Sequence, residues 1–269
     1  MGGDASPLSP LLAGLDLLRI ESAGAVLHVR LARPAKRNAI NDTLIAQLHT
    51  AFVNLPEETR AVVLSGEGDH FCAGLDLSEV SERSVAEGVF HSRSWHAAFE
   101  QIQFGRVPVV AVLHGAVVGG GLELAGACHV RIAEASAFYG LPEGQRGLFV
   151  GGGGSARLPR LVGVARMTDM MLTGRVYDAA EGQAIGLSQY IVAAGAGLEK
   201  AFELAQRIAG NAPLSNFAVV HALPRIADMD QDNGLFVESL MAAIASGDEA
   251  AKLRVRAFLE GRAAKVKKA

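Results

Sequence analysis

Long apolar runs are missing from this sequence. Half of its 269 residues are apolar, yet no stretch approaches the roughly 20 residues that a membrane-spanning helix needs. Residues 1–10 contain no basic segment followed by a continuous apolar one, so no secretory signal is predicted. The only cysteines, Cys72 and Cys128, each lie in an apolar segment, where buried free thiols are expected rather than a disulfide. These absences predict a soluble, cytoplasmic globular protein.

A strong excess of one charge is also missing. The formal net charge is −3, so no global field attracts nucleic acid or an anionic membrane. The basic cluster at residues 265–268 is typical of a solvated terminus. A helix predicted near residues 85–104 carries Arg93 against Glu87 and Glu100, which argues against an RNA-binding helix. We therefore predict no nucleic-acid partner and no membrane partner.

Motifs for nucleotides and metals are absent as well. Neither Gly-x-Gly-x-x-Gly in a βαβ context nor Gly-x-x-x-x-Gly-Lys-Ser/Thr occurs, which disfavours a nucleotide-triphosphate site. No group of His, Cys and carboxylate residues has the spacing of metal ligands. We predict no metal and no separate cofactor.

The first two thirds of the sequence alternate short apolar strands with longer amphipathic helices. The predicted strands cover residues 17–20, 25–31, 61–64, 109–113, 130–133 and 137–139. The predicted helices begin at the Asn41 cap, cover residues 85–104, and follow the glycines at 119–121 and 151–154. This order predicts an α/β fold in which helices cross over a parallel-type sheet.

The last third changes character. Residues 213–227, 234–245 and 248–262 have the pattern of three amphipathic helices with no strand between them. We predict a flexible arm over residues 1–14, an α/β core over 15–197, and a helical region over 198–269. That helical region either covers the core or packs against another subunit.

Two glycine-containing segments are candidates for binding an anion through the backbone. In Ser65–Asp76, the N–H groups near Gly74 and Leu75 either point into open space or belong to a plain strand-to-helix loop. Gly119–Gly121 open a helix, and the first N–H groups of a helix have no internal partner and carry partial positive charge. Both segments suit a developing negative charge.

Two glutamates are candidates for acid–base chemistry. Glu123 lies in the first turn of the helix after Gly121, where the helix dipole stabilises a carboxylate whatever its function. Glu143 lies in a Pro-Glu-Gly turn after a predicted strand, a usual place for a solvated residue. The two carboxylates form a pair for proton transfer only if the ends of the two preceding strands adjoin.

The order and spacing of several short motifs resemble the enoyl-CoA hydratase (crotonase) superfamily from about residue 17 to 262. The matching motifs are Arg33-Pro34-Ala35-Lys36-Arg37-Asn38-Ala39-Ile40, Phe71-Cys72-Ala73-Gly74-Leu75-Asp76-Leu77, Pro108-Val109-Val110-Ala111-Val112 with Gly115, Gly119-Gly120-Gly121-Leu122-Glu123-Leu124-Ala125, Pro142-Glu143-Gly144 and Leu172-Thr173-Gly174-Arg175. Each motif alone is weak, and together they are specific.

The resemblance implies a spiral of ββα units followed by a helical trimerisation region, assembled as a homotrimer or a dimer of trimers. It implies an oxyanion hole formed by the backbone N–H groups of Leu75 and Gly120, which receives the thioester oxygen of an acyl-CoA. The positions that match the two water-handling glutamates of the hydratase branch are Glu123 and Glu143. Because many branches keep only one or neither, this pair favours a 2-enoyl-CoA hydratase.

The resemblance also implies contacts with coenzyme A, which is part of the substrate. The implied CoA-binding residues are Ala35, Lys36, Arg37, Asn38, Ala73, Gly74 and Phe258. Lys36 and Arg37 either approach the phosphates or are solvated loop charges. A family lysine near the C-terminus corresponds here to Gly261, and Arg262 is the alternative residue for that contact.

The acyl group is expected to contact Trp95, His96, Phe149 and Val150. Aromatic residues at helical spacing also suit ordinary core packing, so both interpretations stay open for Trp95. Relatives that process aromatic halides carry a histidine near His96 and a nucleophilic aspartate within the segment that is Gly151–Gly154 here. Since no carboxylate occurs in that segment, dehalogenation is not predicted.

Two alternatives to a hydratase remain. A Δ3-Δ2-enoyl-CoA isomerase needs only one carboxylate to move a proton, and the presence of both glutamates argues against it. A non-catalytic CoA-thioester-binding subunit would tolerate the loss of either glutamate.

Overall fold

Short strands and helices alternate along residues 8–79 and 82–262, the part of the chain that the computed structural model describes. The strands are β1 (Leu18–Ala23), β2 (Val26–Leu31), β3 (Ala61–Gly66), β4 (Val109–Leu113), β5 (Ala116–Val118), β6 (Val130–Glu134), β7 (Phe138–Gly140), β8 (Tyr177–Asp178) and β9 (Tyr190–Val192). The α-helices are α1 (Pro10–Ala13), α2 (Asp42–Val53), α3 (Val85–Gln103), α4 (Gly120–Ala127), α5 (Gly154–Val162), α6 (Val164–Thr173), α7 (Ala179–Ile185), α8 (Gly197–Ala209), α9 (Pro213–Phe217), α10 (Leu223–Ala227), α11 (Gln231–Gly247) and α12 (Glu249–Leu259). Short 3₁₀ turns cover Pro34–Lys36, Leu77–Glu79 and Gly144–Arg146.

The larger sheet has the strand order β1-β2-β3-β4-β6-β9. Its first pair is antiparallel and the others are parallel. A smaller sheet has the order β5-β7-β8, in which β5 and β7 run parallel. Parallel neighbours need crossover connections, and helices supply most of them here. The predicted α/β fold with a parallel-type sheet is confirmed.

Both faces of the larger sheet are buried, so its central strands are apolar at almost every position. One face packs against α8, where Val63 and Val110 contact Leu204 and its neighbours. The opposite face carries Leu64 and Ala111 into a larger cluster that includes residues of α2 and α3. Alternate residues of β3 and β4 therefore pack into two separate hydrophobic clusters.

The second half of the predicted flexible arm, residues 1–14, contains a helical turn. Pro10–Ala13 form a helical turn capped by the Ser9 hydroxyl, and Leu12 is buried in the main cluster. Apolar burial of Leu12 fixes this segment, which the Gly, Ser and Pro content alone does not predict. Residues 1–7 of the predicted arm lie outside the described residues.

The boundary of the helical region also differs from the predicted 197/198. One unit ends at Ala209 and the other begins at Gly210. The reason is α8, whose Ala201, Leu204 and Ala205 pack on the sheet and so belong to the first unit. The second unit contains α9 to α12.

The predicted helix over residues 213–227 is interrupted. A π-helical segment, Ala218–Ala222, lies between α9 and α10. Pro224 has no N–H to donate to the preceding turn, and a wider turn accommodates that missing donor.

No helix in the described part of the chain is long and apolar enough to cross a membrane.

Cys72 and Cys128 are both free and buried, as predicted. Burial raises the pKa of each thiol to about 12, so neither is a thiolate at neutral pH. Across residues 8–79 and 82–262, no group of three or more His, Cys, Asp or Glu side chains is arranged to hold a metal ion.

Candidate active site

The smaller sheet brings the two candidate glutamates together. Its parallel strands β5 and β7 pair Val118 with Gly140, so both strands end at the same edge. The N–H of Gly119 donates to the carbonyl oxygen of Gly140 at 2.9 Å. Glu123 follows β5 by one helical turn and Glu143 follows β7 by a tight turn. The ends of β5 and β7 therefore adjoin, which is the condition for the two carboxylates to form a pair.

Glu123 is buried and rigidly held. Its side chain is 3 % exposed, although a first-turn glutamate usually points to solvent. Its Oε1 accepts hydrogen bonds from the N–H groups of Gly152 and Gly154, at 2.8 and 2.7 Å. In the described chain its Oε2 makes no hydrogen bond, and the residue lines a cavity. One oxygen thus anchors the carboxyl group and the other is free to react.

The surroundings of Glu123 shift its proton affinity toward neutrality. The pKa of Glu123 is raised to about 7, mainly by burial and in part by the negative charge of Glu143. The two backbone N–H donors and the Arg157 guanidinium oppose this rise. A group with a pKa near the working pH both holds and releases a proton readily, as general acid–base catalysis requires.

Glu143 is half-buried at the other side of the same cavity. Its Oε2 is fully buried and has no hydrogen-bond partner within residues 8–79 and 82–262. Burial raises the pKa of Glu143, and Arg146 opposes that rise. A buried polar atom without a partner in the protein is where a water or a ligand atom is expected.

Two backbone N–H groups face the cavity beside these carboxyl groups. An isolated bridge pairs Cys72 with Val117 and so places the chain through Gly74 against the start of α4. A Cβ on Gly120 would lie 3.6 Å from the nitrogen of Leu75, and one on Gly74 would lie 3.2 Å from the nitrogen of Gly120. Among the described residues neither N–H donates to a protein acceptor. The two nitrogens therefore lie in adjacent backbone segments, and their role as an oxyanion hole stays a prediction.

Glycine is required where these segments touch. Gly74 has a φ of 90°, a backbone conformation that residues with a side chain rarely adopt. A Cβ at this position would lie 2.7 Å from the carbonyl oxygen of Val118. A Cβ on Gly120 would lie 2.7 Å from Cζ3 of Trp95. The absence of side chains lets the two backbones approach closely.

The cavity has a volume of about 420 Å³. It is lined by both glutamates, both N–H donors, Ala73, Gly74, Leu77, Arg83, Gly88, His91, Ser92, Trp95, Val118, Gly119, Arg146, Leu148, Phe149, Val150, Gly151 and Gly152. Of the residues expected to contact the acyl group, Trp95, Phe149 and Val150 therefore lie on its wall.

His96, which was also expected to contact the acyl group, is not among the residues that line that cavity. Consecutive helical residues point about 100° apart, and it is Trp95 that faces inward from α3. His96 lies instead near Ser92, with 3.4 Å between its Nε2 and the serine Oγ. Burial and the charge of Arg93 lower the pKa of His96. The residue is part of the packing between α3 and the 151–154 turn.

The residues expected to bind CoA fall into two groups. Ala35, Lys36 and Arg37 lie on an exposed loop, and the Nζ of Lys36 donates to the Ser78 hydroxyl at 3.0 Å. Ala73 and Gly74 line the cavity next to the N–H donors. Phe258 is exposed on α12, in the C-terminal unit. Contact of these residues with CoA stays a prediction.

Asn38 is the exception, because its side chain is not available to a ligand. It is fully buried, and its Nδ2 donates to the carbonyl oxygens of Glu67 and His70 at 2.9 and 2.7 Å. Its Oδ1 accepts from the N–H of Arg33 at 2.9 Å. The amide holds three backbone segments together, so the predicted contact of Asn38 with CoA would have to use its backbone and stays a prediction.

The sequence analysis did not predict the two backbone hydrogen bonds that hold the Glu123 carboxylate. Gly152 and Gly154 supply its two donors, and Arg157 fixes their turn by donating to the carbonyl oxygen of Gly152 at 2.8 Å. The glycine-dense turn was visible in the sequence, but nothing local indicated that it would reach a residue 29 positions earlier.

The burial of Glu123 predicts a measurable dependence of stability on pH. Its folded pKa of about 7 lies above the ordinary value of 4.5. The protonated form thus stabilises the fold below pH 4.5, and this stabilisation is lost as the pH rises through 7. At roughly 1.4 kcal/mol for each pKa unit, the loss is about 3 kcal/mol. We expect Glu123→Gln to remove this part of the decline in unfolding free energy, measured by chemical denaturation at pH 5 and pH 8.

The matched control is Glu58→Gln at an exposed loop position, which should keep the wild-type decline. A Glu123→Gln protein that loses as much stability between pH 5 and pH 8 as the wild type would contradict the assignment.

Comparisons with known proteins show which family this chain resembles. The sequence profile of the enoyl-CoA hydratase/isomerase family matches residues 21–268. A mitochondrial protein of Bos taurus named enoyl-CoA hydratase domain-containing protein 2 is 36% identical over 246 residues, 87% of this chain and 83% of the relative. The short-chain-enoyl-CoA hydratase of Clostridium acetobutylicum is 32% identical, over 92% of this chain and 96% of the relative.

A solved structure gives the same result. A crystal structure from Rhodopseudomonas palustris, described provisionally as an enoyl-CoA hydratase, superposes with a TM-score of 0.90 at 58% identity. The superposition covers 92% of this chain and 96% of that one. With the profile match spanning most of the sequence, the chain belongs to the enoyl-CoA hydratase/isomerase family.

Proposed function

We propose that this protein hydrates 2-enoyl-CoA thioesters to 3-hydroxyacyl-CoA. One observation carries the proposal: a buried and a half-buried carboxyl group, both of raised pKa, line one cavity with the residues of the two backbone N–H donors. The names of the two relatives that mention enoyl-CoA hydratase support it. The reaction needs no cofactor beyond the CoA of the substrate.

The N–H pair handles the charge that develops during hydration. When the oxygen of water bonds to C3, the electron pair of the C2=C3 double bond moves toward the thioester oxygen. The Leu75 and Gly120 N–H groups donate to that oxygen and stabilise the enolate-like charge. Because both donors belong to the rigid backbone, they need no rearrangement as the charge forms.

The glutamates handle the protons. A carboxylate accepts a proton from the attacking water, and C2 receives a proton from the carboxyl group that carries one. Burial keeps the pKa values of Glu123 and Glu143 high, and their mutual repulsion disfavours two charges at once. The site therefore favours one protonated and one ionised carboxyl group, which is the state that hydration requires.

The test is the loss of enoyl absorbance from crotonyl-CoA, cinnamoyl-CoA and a medium-chain 2-enoyl-CoA, with the product identified by mass. We expect a gain of one water and a 3-hydroxyacyl-CoA product. Conversion of a 3-enoyl-CoA without hydration of any 2-enoyl-CoA would instead identify an isomerase. Tight binding of acyl-CoA without turnover of either would identify a binding subunit.

The assembly and location of the protein remain predictions. A homotrimer or dimer of trimers is supported by the apolar residues that α11 and α12 expose, among them Leu235, Phe236, Leu253 and Phe258. Contiguous exposed apolar residues are typical of subunit interfaces. The expected cytoplasmic location has no such support, and one relative is mitochondrial.

A further inference from the structure

Helix α3 separates two cavities. The residues through which it lines the active-site cavity are Gly88, Ser92 and Trp95. The residues through which it lines a second cavity are Phe90, Ser94 and Ala97. Both sets follow helical spacing and so define two faces of the helix. His91 lies between these faces and lines both cavities.

The second cavity lies between α2 and α3 and has a volume of about 630 Å³. From α2 it is lined by Asp42, Ile45, Ala46, His49 and Thr50. None of these α2 residues lines the active-site cavity. With Ile45, Ala46, Phe90 and Ala97 on its wall, the second cavity offers aliphatic and aromatic surface to an apolar chain.

Arg83 and His91 are shared by the two cavities, and Asp42 holds both of them. The Asp42 carboxylate accepts from the Arg83 guanidinium at 3.1 Å and lies 2.9 Å from the His91 Nε2. The Asp42 side chain is 66% exposed. Ion pairs in contact with water contribute little to stability, so substitutions in this wall should leave the fold intact.

The wall is also tied to the catalytic side. The Nε1 of Trp95 lies 3.3 Å from the His91 Nε2. One nitrogen cannot donate to Asp42 and accept from Trp95 at once, and the shorter contact with Asp42 assigns the proton to Nε2. Trp95 itself packs against Gly120, the residue that supplies one oxyanion donor. Packing of His91 on Trp95, with ring centroids 6.0 Å apart, therefore connects the wall to the proposed oxyanion donor.

We propose that Arg83 and His91, held by Asp42, form the end wall of the acyl site and determine the acyl chain length. The inference rests on the proposed hydratase function. Short acyl groups end at the wall. Longer groups meet a guanidinium and an imidazole, which an alkyl chain cannot hydrogen-bond, and reach the second cavity only when the wall is removed. The enzyme is thus assigned a short-chain preference.

The test compares kcat/KM for 2-dodecenoyl-CoA with that for crotonyl-CoA. Arg83→Ala removes the longest side chain of the wall, and we expect the ratio to rise about tenfold or more, as when a hydrophobic pocket gains room for methylene groups. Adding Ala46→Phe, which fills the second cavity from α2, should return the ratio to the wild-type value. His49→Ala alters the second cavity without touching the wall and should leave the ratio unchanged.

Two results would overturn the proposal: an unchanged ratio in Arg83→Ala, or a raised ratio that persists when Ala46→Phe is added. Circular dichroism checks that each variant is folded. If the wild type hydrates no 2-enoyl-CoA, the proposed function fails separately. The wall is then tested by the ratio of dissociation constants for lauroyl-CoA and butyryl-CoA in the same variants, measured by calorimetry.

Discussion

Replacing Glu143 by glutamine is expected to lower the kcat for crotonyl-CoA hydration by about 10²–10⁴. Glutamine keeps the size of the side chain and removes its ability to exchange a proton. The Oε2 of Glu143 is buried without a partner in the described structure, so its lost chemistry is not replaced by a neighbour. Steady-state kinetics at neutral pH measures the effect.

Glu123→Gln should show a loss of similar size, because its Oε1 still accepts from the two glycine N–H groups while proton transfer is lost. The affinity for butyryl-CoA should change little in either variant, since neither carboxyl group is expected to bind the CoA moiety. Glu58→Gln is the surface control. The hydratase assignment fails if both active-site variants hydrate crotonyl-CoA at the wild-type rate.

Gly120→Ala is expected to lower kcat/KM by about 10²–10³, the usual cost of losing one oxyanion donor. The added methyl group would lie 2.7 Å from Cζ3 and 3.0 Å from Cη2 of Trp95. Backbone or ring must move, and either movement displaces the N–H from the thioester oxygen. The measurement is the rate of crotonyl-CoA hydration across substrate concentrations.

Gly88→Ala is the matched control for this substitution. Gly88 also lines the cavity, but a Cβ there meets nothing within 4 Å. Because Gly88 lies inside α3, alanine should stabilise the fold by about 0.5–1 kcal/mol with little loss of activity. Equal activity in Gly120→Ala and Gly88→Ala would remove Gly120 from the oxyanion hole.

Local pattern was sufficient for most of the fold. The strand predicted over residues 109–113 coincides with β4, and Asn41 caps α2 as expected. Apolar periodicity and capping residues act within a few positions, so the sequence displays them directly. The helical turn at Pro10–Ala13 and the end of the first unit at Ala209 could not be predicted, because burial of Leu12 and docking of α8 depend on distant partners.

The candidate site likewise contains residues that local motifs mark and contacts that only the fold creates. Glu123, Glu143, Leu75 and Gly120 could be predicted because ordered motifs mark them, and the structure places all four on one cavity. Asn38 also belongs to a motif, but its role is to join backbone segments around 33, 67 and 70. The donors from Gly152 and Gly154 could not be predicted, because hydrogen bonds between distant segments leave no local signal.

The proposed oxyanion donors belong to the main chain of two segments joined by the bridge between Cys72 and Val117. No point substitution except proline deletes a main-chain N–H. Substitutions at Glu123 or Glu143 can therefore change which proton moves while the enolate-stabilising device persists. A new reaction on this scaffold needs only new acid–base groups, provided that the close backbone contacts at Gly74 and Gly120 are kept.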